Sequence, residues 1–278
     1  MRLITYSLGD RGARAGLLRD ERVVDAWDAL GGGGESVREL LSSGRLGELT
    51  EVDGEGPALS EVELGPPIPD PQKLLCIGLN YRSHAEEAGL EPPNTPTFFA
   101  KFANALRPHG ATVPLPAASE KVDFEAEVAF VIGRRAAAVA EADALDHVAG
   151  YTLLNDLSAR DLQFATPQWM PGKVFDGAAP CGPALVTPDE AGPADAIEIA
   201  LDLNGERMQE ASTSDLIFSI PALVAELSRL MTLEPGDIVA TGTPAGVGSV
   251  RRPRVWLSPG DEIAISSPQL GRLETRIG

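Results

Sequence analysis

Residues 121–156, KVDFEAEVAFVIGRRAAAVAEADALDHVAGYTLLND, set carboxylates into a segment whose apolar pattern calls for a buried strand. Successive side chains of a strand point to opposite faces, so Asp123, Glu125 and Glu127 share one face while Phe124, Ala126, Val128 and Phe130 share the other. The two glutamates then project side by side, about 6–7 Å apart at Cα. The run that follows, 128–132, is apolar on both faces, and desolvating neighbouring anions beside it is costly unless something positive lies between them. A second apolar run, 149–154, ends in Asn155 and Asp156 and delivers a third carboxylate at a strand end. Three carboxylates without Cys or His are hard oxygen ligands, suited to Mg2+ or Mn2+ rather than Zn2+. In a chain with 41 acidic residues a solvated acidic face accounts for the same spacing, and spacing alone leaves both readings open.

The wider composition narrows the classes. A net charge of −18 with no basic stripe opposes nucleic acid and anionic membranes as partners, since both are bound by displacing counterions with Lys and Arg. With 29 Gly and 23 Pro among 278 residues, many turns and short strands are expected, giving a mainly β fold with a few helices (α+β). There is no apolar leader core and no uninterrupted apolar run of membrane-spanning length, so a cytoplasmic protein is expected. Cys76 and Cys181 are far apart and flanked by apolar residues, as reduced buried thiols are.

Along the chain, residues 1–68 read as a small N-terminal α/β domain, with strands near 3–7, 14–18 and 22–25 and a short helix after a Ser36 N-cap. Pro66, Pro67, Pro69 and Pro71 mark a boundary, and 69–278 read as the larger domain. A strand at 73–78 opens into a helical turn on which His84 and Glu87, at i and i+3, meet; an exposed histidine beside an incidental glutamate is the competing reading. Residues 89–97 form a polar, proline-rich connection that could serve as a flap, and 98–102 return as a strand whose Lys101 is either a site cation or an exposed lysine. A short helix is expected over 141–147, with His147 structural. Arg160 and Gln163 stand one helical turn apart and could both face the metal, and Lys173 lies among apolar and glycine residues. The clearest helix is 221–231, with an apolar stripe of Leu223, Leu227, Leu230 and Met231. The loop TGTPAGVG (241–248) lacks the Lys-Ser/Thr of a nucleotide P-loop and suits a small carboxylate bound by backbone amides and the Thr243 hydroxyl.

Five stretches, IGLNYRSHAEEAG (77–89), FEAEVAFVIG (124–133), GYTLLNDLSARDLQ (150–163), GKVFDGAAPCGP (172–183) and TGTPAGVG (241–248), together resemble the fumarylacetoacetate hydrolase superfamily over roughly residues 70–278, in particular its acylpyruvase-like and 2-hydroxyhepta-2,4-diene-1,7-dioate isomerase-like members. That resemblance implies a β-roll catalytic domain, usually a homodimer, with Mg2+ or Mn2+ held by Glu125, Glu127 and Asp156. It implies a His84–Glu87 dyad, with Lys173 and Gln163 as further catalytic groups and Arg160 and Thr243 lining the substrate pocket. The expected activity is cleavage of the C–C bond of a 2,4-dioxo acid of acylpyruvate type: Glu87 orients His84, which deprotonates a water, and a pyruvate enolate leaves with metal assistance. Decarboxylation of oxaloacetate, or isomerisation of a hydroxymuconate or 2-hydroxyhepta-2,4-diene-1,7-dioate, uses the same site and is the alternative. A metal-stabilised binding protein without turnover is a different class, against which the dyad and Lys173 argue. The chain departs from many relatives at Val174 and at 177–179, where Gly-Ala-Ala makes the wall near Lys173 small and less polar.

Overall fold

The computed structural model describes residues 1–52 and 54–278. Its spine is a large mixed sheet running, from one edge to the other, through Arg22–Asp25, Arg14–Arg19, Arg2–Ser7, Ala179–Val186, Val148–Asn155, Ala126–Ile132, Ile238–Ala240, Leu74–Gly78 and Thr97–Lys101. A second sheet of five strands, Glu206–Ser212, Glu198–Leu203, Glu262–Ser267, Gly271–Ile277 and Thr112–Val113, accompanies it.

The two central strands explain the sequence pattern. Every residue of Ala126–Ile132 and of Val148–Asn155 is buried, which is why both read as continuous apolar runs rather than alternating ones. They pair antiparallel with Ala126 opposite Asn155 and Phe130 opposite Tyr151, and a register shift falls between Val131 and Ile132. This register carries Asp156 to Glu125, whose carbonyl accepts from the Asp156 N–H at 2.9 Å.

The carboxylate strand is not continuous, contrary to expectation. It breaks at Phe124 and Glu125, and Val122–Asp123 pairs instead with Ser158–Ala159. Side chains take over the ladder at the break: Asn155 Oδ1 accepts from Glu125 N at 3.1 Å, and Gln209 Oε1 accepts from Ala126 N at 3.0 Å. Buried backbone donors are thereby satisfied where the strand bends into the site.

The N-terminal strands are hydrogen-bonded into the large sheet, with Arg2 opposite Val186 and Leu3 opposite Leu185. Ser36 caps the helix Val37–Ser43 in a capping box with Glu39. The longest helix, Ile220–Leu230, is capped by Ser219 and buries Ile220, Leu223, Val224 and Leu227; Leu230, counted in the expected stripe, is half exposed in its last turn. His147 ends a 3-10 helix, Glu141–His147, and its Nδ1 lies 3.1 Å from the Arg134 carbonyl.

Candidate active site

Glu125, Glu127 and Asp156 are all buried, and one oxygen from each lies within 4.8 Å of the others. The solvated acidic face is therefore excluded. Three cations surround the cluster. Arg160, on the short helix Arg160–Gln163, donates from Nη2 to Glu125 at 2.6 Å, from Nε to Asp123 at 2.9 Å and from Nη1 to Gln163 Oε1 at 2.9 Å. Lys173 Nζ bridges Glu125 and Asp156 at 2.7 Å each. Lys101 Nζ approaches Asp156 Oδ1 to 2.7 Å while donating to the carbonyls of Leu157, Lys173 and Ala178. Its three hydrogens are thus taken up by carbonyls, and Asp156 Oδ1 has charge contact without a hydrogen bond.

Charge counting shows what the cluster lacks. Asp123, Glu125, Glu127 and Asp156 face Arg160, Lys101 and Lys173, four negative groups against three positive, and Glu127 is the carboxylate with no cation at ion-pair distance among the described residues. Its one fixed partner is the Gly242 N–H, at 2.8 Å. Burial, with repulsion from Asp156 and Glu125, pushes the Glu127 carboxyl well above its usual range. Burial also works against Glu125, but Arg160 and Lys173 outweigh it and hold that group well below the ordinary range. Burial opposes the Lys173 charge too, and Asp156 and Glu125 more than restore it. A buried, hard-oxygen cluster one positive charge short, with an unsatisfied Asp156 oxygen, fits a divalent cation.

The cluster floors a cavity of about 350 Å³ lined also by His84, Arg160, Gln163, Lys173 and Thr243. Glu87 does not line it and stands behind His84: both lie on the helix Arg82–Ala88, with His84 Nδ1 3.6 Å from Glu87 Oε2. That contact is longer than a hydrogen bond, and Glu87 Oε2 instead accepts from Gly246 N at 2.9 Å. Thr243 donates its hydroxyl proton to the Ala126 carbonyl and accepts from Gln209 Nε2, so the hydroxyl holds the loop to the strand. The small wall expected at Val174 is not where the cavity is apolar; that surface comes from Ile77, Leu79, Leu90, Phe99, Phe164 and Trp169.

Two further residues belong to the site. Asp123 accepts from Gly248 N, Ser249 N and Arg160, tying the 241–250 loop to the guanidinium. Lys101, left open from sequence, is fully buried at the centre. In the strand Thr97–Lys101 it is in phase with Phe99, which lines the cavity, a relation that becomes informative only once the cavity is known.

The model of the fumarylacetoacetate (FAA) hydrolase C-terminal family matches residues 73–278. The chain belongs to this family. An oxaloacetate tautomerase, YisK of Bacillus subtilis, is 44% identical over 225 residues, covering 80% of this chain and 75% of its own. The solved structure of a fumarylacetoacetate hydrolase from psychrophilic Exiguobacterium antarcticum superposes with a TM-score of 0.87 at 32% identity, covering 100% of this chain and 99% of that one. A maleylpyruvate hydrolase from Sphingobium sp. SYK-6, solved with manganese(II) and pyruvate, gives 0.81 at 29% identity, with 100% and 98% covered. The protein is thus an enzyme of the fumarylacetoacetate hydrolase family with the α+β fold of that family. Among the described residues no helix is long and apolar enough to cross a membrane.

Proposed function

We propose that the enzyme catalyses keto–enol tautomerisation of a small 2-oxo acid. The observation that carries this reading is the placement of His84, the one titratable wall residue outside the charged floor among the described residues, over a carboxylate cluster suited to a divalent cation. The relationship to an oxaloacetate tautomerase at 44% identity supports it over the C–C hydrolysis expected from sequence.

Glu125, Glu127 and Asp156 would hold Mg2+ or Mn2+, which supplies Lewis-acid stabilisation of negative charge on the 2-oxo oxygen. With Nδ1 turned toward Glu87, His84 has Nε2 left to take the proton from carbon 3 and deliver it to the 2-oxo oxygen, and to carry it back when the enol ketonises. Glu87, fixed by the Gly246 N–H, stands 3.6 Å from the imidazole Nδ1 and backs the ring on the side away from the cavity. Lys173 donates toward the developing enolate oxygen. Gln163, whose Oε1 is taken by Arg160, has its amide NH2 free to do the same. Phe99 and Trp169 limit water at the reacting carbon.

Hydrolysis is the second reading, favoured by the likeness to a maleylpyruvate hydrolase. It asks more of the dyad, because His84 must activate a water, and the 3.6 Å separation from Glu87 is loose for that. The test follows enol absorbance of 2-oxo acids and, separately, cleavage of acylpyruvates, in wild type and His84→Ala with Mg2+ present. The expected outcome is tautomerisation that falls about 10²–10⁴-fold in His84→Ala, with the metal-induced rise in Tm retained. Acylpyruvate cleavage without tautomerisation would replace this reading by the hydrolase.

A further inference from the structure

We infer that the substrate's carbon-3 substituent is an apolar group, aryl or branched alkyl, rather than a second carboxylate. The inference rests on the proposed function for its 2-oxo acid head group. Polarity in the cavity is segregated. The two cations that line it, Arg160 and Lys173, both lie at the floor, 2.6 and 2.7 Å from Glu125 oxygens. The rest of the wall is mainly apolar, with Leu79, Leu90, Phe99, Phe164 and Trp169 beside the hydroxyls of Thr97 and Ser249, and among the described lining residues it carries no further Lys or Arg. His84 is the remaining titratable group there, and its Nδ1 faces Glu87. Neighbouring Arg251 is turned to the carbonyls of Gly246 and Met208. A distal carboxylate would leave water for a largely aromatic surface with no cation to receive it, only the hydroxyls of Thr97 and Ser249, whereas an aryl group would bury against that surface.

The wall is also built at a cost. Leu79 has φ of 53°, an uncommon and strained conformation for a bulky side chain. Asn80 holds it there: its Nδ2 donates to the carbonyls of Thr241 and Phe218, and its Oδ1 accepts from Phe218 N. Next to it, a Cβ on Gly78 would come within 2.4 Å of the Trp169 ring, so glycine is what lets the indole lie against the backbone. Trp169 in turn packs edge-on to Phe99, with centroids 6.0 Å apart. Strain, a glycine and an aromatic pair converge on one apolar surface facing the head-group site.

Phenylpyruvate and oxaloacetate form a matched pair for the test, carrying phenyl or carboxylate on carbon 3 of the same head. Their tautomerisation is followed by enol absorbance with Mg2+, and their binding by calorimetry, in wild type, Trp169→Ala and Leu90→Arg. Leu90 is 55% exposed, so its substitution spares the fold. Phenylpyruvate is expected to be preferred in kcat/KM by about tenfold or more, with the preference lost in Trp169→Ala and moved toward oxaloacetate in Leu90→Arg. Equal or inverted preference in wild type, or a preference unchanged in both variants, overturns the inference. If neither acid is tautomerised, the proposed reaction falls and binding decides the tail: tighter phenylpyruvate sustains the apolar wall, and tighter or equal oxaloacetate removes it.

Discussion

Replacing Glu127 with glutamine is expected to move the stability of the metal-free and metal-loaded enzyme in opposite directions. Glu127 is 2% exposed, has no cation beside it among the described residues, and completes a centre with four carboxylates to three cations. Its folded-state pKa is raised, so its contribution to stability is full below the unfolded value near 4.5 and is lost as pH rises through the folded value. Glu125 works in the other sense, its contribution being present above its unfolded value and lost as pH falls, and both proteins share it. Glutamine keeps the volume and can still accept from the Gly242 N–H, but carries no charge to desolvate. A buried polar group left without a partner costs about 1–3 kcal/mol, more when charged, so at neutral pH and above the metal-free variant is expected to exceed wild type by about that amount. That corresponds to a Tm higher by roughly 2–12 °C. Wild type with Mg2+ at about 1,000 times Kd gains about 4.1 kcal/mol, more than the variant's metal-free advantage, and the variant loses that gain with its ligand. Scanning calorimetry of chelator-treated protein over about pH 5–8, with and without metal, measures both arms. A metal-free variant that melts below wild type throughout, or equal metal-induced shifts in the two proteins, would refute the argument.

Lys101→Met removes the buried cation that touches Asp156 and three carbonyls; a loss of roughly 3–5 kcal/mol is expected in chemical denaturation, with weaker metal binding by calorimetry. We also propose, on family resemblance, that the enzyme is a homodimer; sedimentation at micromolar concentration is expected to give twice the chain mass, and a monomer alone would remove that expectation.

The sequence made the head-group site readable because strand alternation and apolar flanks fix which side chains share a buried face. Glu125, Glu127 and Asp156 are candidates on that pattern beside the rival reading of a solvated acidic face, His84 and Glu87 are candidates on helical spacing, and only the family resemblance joins them into one site. Lys101 stays open, since a lone lysine in a short strand has the same local pattern whether its end meets water or a carboxylate. The break at Phe124 and Glu125 was hidden for a related reason: the groups that replace the ladder, Asn155 and Gln209, lie 30 and 83 residues away in the chain. The apolar wall was misplaced because Leu79, Phe99 and Trp169 converge only in three dimensions. In the sheet as a whole, strand existence was legible from burial patterns, while the pairing of Arg2–Ser7 with Ala179–Val186 leaves no trace in either segment alone.

The antiparallel pairing of Ala126–Ile132 with Val148–Asn155 has a consequence for how the chain reaches its native state. A slip of one residue in that ladder would turn one strand's side chains to the opposite face. Asp156 would then point away from Glu125 and Glu127, and the three oxygens would no longer meet. A cation that binds only the correctly paired strands lowers the free energy of that register alone. Metal present during folding would therefore act as a proofreader of strand alignment at the centre of the sheet, before any substrate is met.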